Sequence, residues 1–225
     1  MKTSLLALLV ATASVLPAAA PGDAAPKLVS RSGGGGGGWA DLAELEAAAA
    51  KGTPRALADL GDLLVRGDGV PKDEARGLAL LERATRQGQS GAAFRLGMLL
   101  AHGEGGAAKD PARALAYFKA AAAGGEVEAF FNLGAAHANG SGTRRNYAEA
   151  LGWLIAARER GVHADAETRL REQLKAHPKW IETGERRARE INAELKDRAL
   201  TEFLPPPAPL DRLFDPLRPP AAKAP

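Results

Sequence analysis

The chain spells one layout three times, and that repetition constrains its fold more than any other feature. Leu57-Ala-Asp-Leu-Gly61, Ala93-Phe-Arg-Leu-Gly97 and Phe130-Phe-Asn-Leu-Gly134 each end in Leu-Gly, and their closing glycines stand 36 and then 37 residues apart. Six residues further on comes a Gly-x-Gly pair: Gly67/Gly69, Gly103/Gly105 and Gly140/Gly142. Asp73, Asp110 or Asn146 follows, then an Ala-rich stretch closed by Gly88, Gly125 or Gly161. A period of this length is one helix–turn–helix unit. Such a unit cannot bury its apolar face alone, so its copies must stack.

Each recurring residue has a physical task. Asp73, Asp110 and Asn146 are expected N-caps, because a short side-chain oxygen can accept from unpaired backbone N–H groups. Pro111 follows Asp110, at the position where its missing N–H costs nothing. Gly67, Gly103 and Gly140 are expected to end the first helix of each unit in a left-handed conformation. Gly61, Gly97 and Gly134 fall inside a helix, where glycine costs about 1 kcal/mol relative to alanine. Three such glycines imply close approach of the partner helix, with Ala75, Ala112 and Ala148 expected to make that contact from the second helix.

This pattern resembles the Sel-one-like repeat, a relative of the tetratricopeptide repeat. In that family Leu-Gly leads through a Tyr-like position to Gly-x-Gly-Val-Pro-Lys-Asp, an Ala-rich helix and Gly. Leu60-Gly61 and Gly67-Asp-Gly-Val-Pro-Lys-Asp73 follow it nearly letter for letter. The second and third copies match more loosely: the middle loop has one extra residue and lacks Val-Pro, and the Tyr-like position holds Leu64, Leu100 and His137. The resemblance covers residues 54 to 161. It implies an all-α α-α superhelix, a solenoid of stacked helix pairs, whose usual role is to bind other proteins.

The flanks read differently. Residues 1 to 20 carry Lys2, an apolar run from Leu5 to Leu16, and small residues at Ala18 and Ala20, the plan of a secretory signal peptide. The run is too short to span a bilayer, and no later stretch qualifies, so the mature chain is expected to lack an integral membrane segment and to be periplasmic or secreted. Residues 21 to 38 end in six glycines and read as a flexible linker, since no Gly-Lys-Ser/Thr follows to make a phosphate loop. WADLAELEAAAAKG, residues 39 to 52, matches a second helix alone and is expected to cap the N-terminal end, ahead of three repeats over residues 53 to 161. After Gly161, helices at about 164 to 176 and 179 to 203 are expected to cap the other end across residues 162 to 203, with Leu170, Leu174, Trp180, Ile181, Ala188, Ile191 and Leu195 as their apolar positions. The tail, residues 204 to 225, holds eight of the fifteen prolines and reads as extended or disordered. Within it LDRLFDPL, residues 210 to 217, is either a docking peptide or a tail with stray hydrophobes.

Little here points to chemistry. The chain has no cysteine, which excludes disulfides, thiolate metal sites and a Cys nucleophile. His102, His137, His163 and His177 make no pair at i, i+4 and no H-E-x-x-H, so neither metal nor other cofactor is expected. There is no G-x-S-x-G and no serine three residues before a lysine, and Ser141 reads as a turn residue. The formal charge is +3, with basic and acidic residues interspersed, so no nucleic-acid partner is expected. Arg66-Gly67-Asp68 spells an adhesion tripeptide, but the repeat already accounts for its last two residues. Asn139-Gly-Ser141 is a glycosylation acceptor pattern, relevant where the host glycosylates exported chains.

What remains is a surface. The resemblance implies that the first helices line the concave face. The positions there that the pattern leaves free are Asp62, Arg66, Arg95, Met98, His102, Asn132 and Asn139. They make a mixed polar stripe with one Met, suited to a peptide or protein segment; the alternative is a merely solvated face. The expected function is therefore a non-enzymatic interaction scaffold. A regulator restraining a membrane receptor, and an enzyme or enzyme subunit acting on cell-wall material, are the alternatives.

Overall fold

A computed structural model describes residues 38–162, 164–196 and 198–206. The expected leader, nearly all of the glycine linker and the LDRLFDPL stretch lie outside the described residues. Among the described residues there are helices and turns but no strand. The helices are α1 (Leu42–Ala50), α2 (Pro54–Arg66), α3 (Glu74–Arg86), α4 (Ser90–His102), α5 (Pro111–Ala123), α6 (Val127–Asn139), α7 (Tyr147–Glu159), α8 (Ala164–Gln173) and α9 (Pro178–Lys196), then a 3-10 turn, Leu200–Phe203. The pairs α2/α3, α4/α5 and α6/α7 are the three units, and they stack into a solenoid.

One device builds every turn. Each first helix ends on a left-handed glycine, with φ of 71° at Gly67 and 75° at both Gly103 and Gly140. Such values suit a residue without a Cβ. Each second helix starts with the expected cap: Arg76 N–H donates to Asp73 at 3.0 Å, Arg113 N–H to Asp110 at 2.9 Å and Glu149 N–H to Asn146 at 3.1 Å. A cap of this kind stabilises by about 1 kcal/mol. The cap residue also donates its own N–H backwards, Asp73 to Leu64 O at 3.0 Å, Asp110 to Leu100 O at 2.8 Å and Asn146 to His137 O at 2.9 Å. The Tyr-like position thus closes the loop through its backbone carbonyl, which every residue has whatever its side chain.

The close approaches sit where the interior glycines are. A Cβ on Gly61 would stand 2.9 Å from Gly77 O, and one on Gly97 2.7 Å from the Phe118 ring. One on Gly134 would stand 2.8 Å from Leu154 Cγ and 3.2 Å from Ala150 O. The partners are not the alanines expected. Ala75 and Ala112 are exposed and Ala148 is half-buried, whereas Gly77, Ala114 and Ala150, two residues later, are buried. Two residues are about 200° around a helix, so the contact face lies nearly opposite the one first assigned.

Stacking uses the second loop glycine. A Cβ on Gly105 would meet Val65 Cγ1 of the preceding unit at 2.5 Å, and one on Gly142 would clash with Pro111 C and O of the preceding unit. At Gly69, in the first unit, nothing lies within 4 Å. The interior follows the stack as successive apolar clusters, and the partly buried Leu100 and Leu204 pack against the first two of them together.

At the C-terminal end α9 lies along α7: a Cβ on Gly152 would be 3.0 Å from Arg187 Cβ, and one on Gly184 2.8 Å from Leu151. The helix expected to reach residue 203 stops at Lys196. A continuous helix would carry Leu200 away along the α9 axis. The break brings its Cδ1 to within 2.8 Å of where a Gly124 Cβ would stand, beside α5. Trp180 is also not an apolar cap position. It is 43% exposed in the first turn of α9, stacked on His177 with ring centroids 4.3 Å apart and 6.0 Å from the ring of Tyr147 at the start of α7.

Candidate interaction surface

Among the seven candidate residues the structure brings three together. Asp62 on α2 accepts from Arg66, one turn on, at 3.0 Å and from Arg95 on α4 at 2.6 Å. Arg66 also reaches Asp68 in the loop at 3.4 Å. The side chains of Asp62, Arg66 and Arg95 are 30%, 39% and 34% exposed, so this ladder faces solvent. Beside it on α2, Arg55 lies 3.6 Å from Asp59, which accepts from Trp39 Nε1 at 2.8 Å. The charged strip therefore runs from the start of the folded chain to α4.

The other four separate. Met98 is half-buried and packs on the second apolar cluster. Asn132 donates to Glu128 O of its own helix at 3.0 Å, which leaves less of it for a partner. His102 and Asn139 are exposed on the last turns of α4 and α6, at the repeat positions that match Arg66. The stripe thus changes character along the stack, from charged on α2 and α4 to neutral on α6.

A second polar constellation escaped the sequence reading. Glu82 on α3, 5% exposed, accepts from the hydroxyl of Tyr117 on α5, itself 1% exposed. Arg86 donates to the other Glu82 oxygen at 2.5 Å, and Arg113 reaches the Tyr117 hydroxyl at 3.3 Å. Burial foremost, then the nearby Glu82 charge, hold the Tyr117 hydroxyl far above its ordinary range, so it stays a neutral donor. The available signal was i, i+4 spacing, Glu82 to Arg86 and Arg113 to Tyr117; nothing in spacing tied the two pairs, which belong to different units. The matching site of the next unit has Glu149 accepting from Trp153 Nε1 at 3.0 Å and from Arg187 of α9 at 2.8 Å.

His137 fills the Tyr-like position of α6. Both its ring nitrogens are buried without a hydrogen-bond partner. Burial lowers its pKa below 6.5; Glu149 opposes this, and Lys119 and Arg187 reinforce it. It is a packed neutral imidazole. Among the described residues no group of three or more His, Cys, Asp or Glu is gathered to hold a metal ion, and no helix is long and apolar enough to cross a membrane. An open cavity of about 320 Å³ lies beside Trp180, lined also by Arg145, Asn146, Tyr147 and Ala148.

The comparisons with known proteins agree with this architecture. The Sel1 repeat model matches residues 54–89, 90–126 and 127–162, the three units described above. A solved Sel1 repeat protein from Oxalobacter formigenes is 28% identical, with a TM-score of 0.53, over 68% of this chain and 62% of its own. A protective antigen present in uropathogenic Escherichia coli strains, displaying an SLR fold, is 30% identical, with a TM-score of 0.51, over 53% of this chain. The match spans only 26% of that antigen. No curated protein matches the chain in sequence.

Proposed function

Since the chain belongs to the Sel1-repeat family, whose members typically serve as protein-interaction scaffolds, we propose that it is an exported, non-enzymatic adaptor. It binds a peptide or protein segment along the exposed side of α2, α4 and α6. The observation that carries this reading is the Asp62–Arg66–Arg95 ladder. It links two units, yet it is about one third exposed, where ion pairs contribute only about 0–1 kcal/mol to stability. Arginine forks held in place by a shared carboxylate are ready to re-pair with the charges of a partner.

The export part rests on the leader-like residues 1 to 20. The test is a crosslinking pull-down from the exported fraction with the mature chain, beside a variant carrying Arg66→Ala, Arg95→Ala and His102→Ala. The expected result is one partner retained by the native chain and lost by the variant. Equal capture by both would place binding elsewhere and end this reading of the α2–α4–α6 side.

A further inference from the structure

The Glu82–Tyr117 node holds two guanidinium groups that reach a ligand already in place. Arg86 donates to Pro205 O at 3.4 Å and Arg113 to Pro206 O at 3.3 Å. Two arginines from two units therefore read two successive carbonyls of one extended strand. The strand is the start of the Pro-rich tail, so its first three described residues are docked on the body rather than free of it. Leu204 inserts its side chain against the first two apolar clusters at once. Phe203 lies on the second, with Arg198 over its ring at 4.3 Å from the centroid.

The chemistry of the slot matches its occupant. A Pro-Pro step has no N–H to donate, so it can be recognised only through its carbonyls and its apolar surface. The guanidinium groups of Arg86 and Arg113 carry only donor atoms, aimed by a buried carboxylate and a buried phenol. An apolar seat for Leu204 completes the match. A polyproline segment suits such a slot because the ligand is extended before it binds and loses little entropy.

We propose that the slot formed by Glu82, Arg86, Arg113 and Tyr117 is a binding site for extended Leu-Pro-Pro segments, held shut in cis by Leu204–Pro206 and open to the same motif from another protein once that tail is displaced. The site lies apart from the α2–α4–α6 stripe and stands or falls independently of it. A tethered tail competes at an effective concentration of about 1 mM, so the closed site rejects weak ligands and admits only strong or multivalent ones.

The test is binding of a fluorescent peptide with the sequence of residues 204 to 210, LPPPAPL, to three forms of the chain: native, ended after Phe203, and full-length with Pro205→Gly and Pro206→Gly. The last form keeps every residue of the body and the length of the tail, so the test survives if the shortened chain folds poorly. Saturable binding is expected by both altered forms, about tenfold weaker binding by the native chain, and loss of binding when Arg86→Ala and Arg113→Ala are added. The proposal is overturned if neither altered form binds at millimolar peptide, if the native chain binds as well as they do, or if the double arginine variant binds unchanged. Any of these results makes the tail a structural strap only.

Discussion

The Asp62–Arg66–Arg95 ladder and the Glu82–Tyr117 node use the same kinds of side chain, and each joins the first repeat to the second. They differ in water. Asp62 shares its charge with two arginines while about one third exposed, and solvent screens both pairs. Glu82 is 5% exposed, and its two oxygens are each met by a donor. A buried carboxylate must keep its partners, whereas an exposed one can trade them. The ladder is thus free to trade its partners, whereas the Glu82–Tyr117 bond is committed to holding α3 on α5 and its arginines in place.

Removing each carboxylate measures that difference directly. Glu82→Ala leaves the Tyr117 hydroxyl buried without its acceptor, and is expected to lower stability by about 3 kcal/mol in urea unfolding. A loss below about 1 kcal/mol would mean that the node is wetter than its burial implies.

A smaller effect is expected at His137, where burial concerns a base rather than an acid. Its folded pKa lies below the 6.5 of the unfolded chain, so below pH 6.5 the unfolded state binds more protons. Stability contributed by the neutral ring is present above pH 6.5 and is lost as pH falls toward the folded pKa. His137→Leu should flatten that part of the profile of stability against pH. An unchanged slope would assign the acid sensitivity to other groups.

The smallest change is expected at the ladder. Asp62→Ala should shift stability by no more than about 0.5 kcal/mol, and a double-mutant cycle with Arg95→Ala should give a coupling below about 1 kcal/mol. A coupling of about 2 kcal/mol or more would make the ladder a structural clasp and erase the contrast.

How far the sequence could be read follows from how local each signal is. Asp73, Asp110 and Asn146 as caps, and Gly67, Gly103 and Gly140 as helix ends, were legible because a turn writes its demands into its own few residues. The partner helix of Gly61, Gly97 and Gly134 was legible, but not the residue on it. Register between two helices is set by the shape of both, which is why Gly77, Phe118 and Ala150 make the contact and Ala75, Ala112 and Ala148 do not. Within the candidate surface, the pairings were not legible. Arg95 meets Asp62 across 33 residues, a few short of the repeat, so no ladder of equivalent positions announces the pair. The Leu204–Pro206 contact is further still from any pattern, because Arg86 and Pro205 are 119 residues apart.

The path of the last residues also bears on how the molecule comes apart. A solenoid with contacts only between neighbours can peel one unit at a time from either end. Here α9 runs along the third unit, Leu200 abuts the end of α5 in the second, and Pro205 reaches Arg86 in the first. One covalent strand therefore touches all three repeats and ties events at one end to those at the other. The stack should open in a single step, behaving less like a row of beads than like a bundle bound by its own cord.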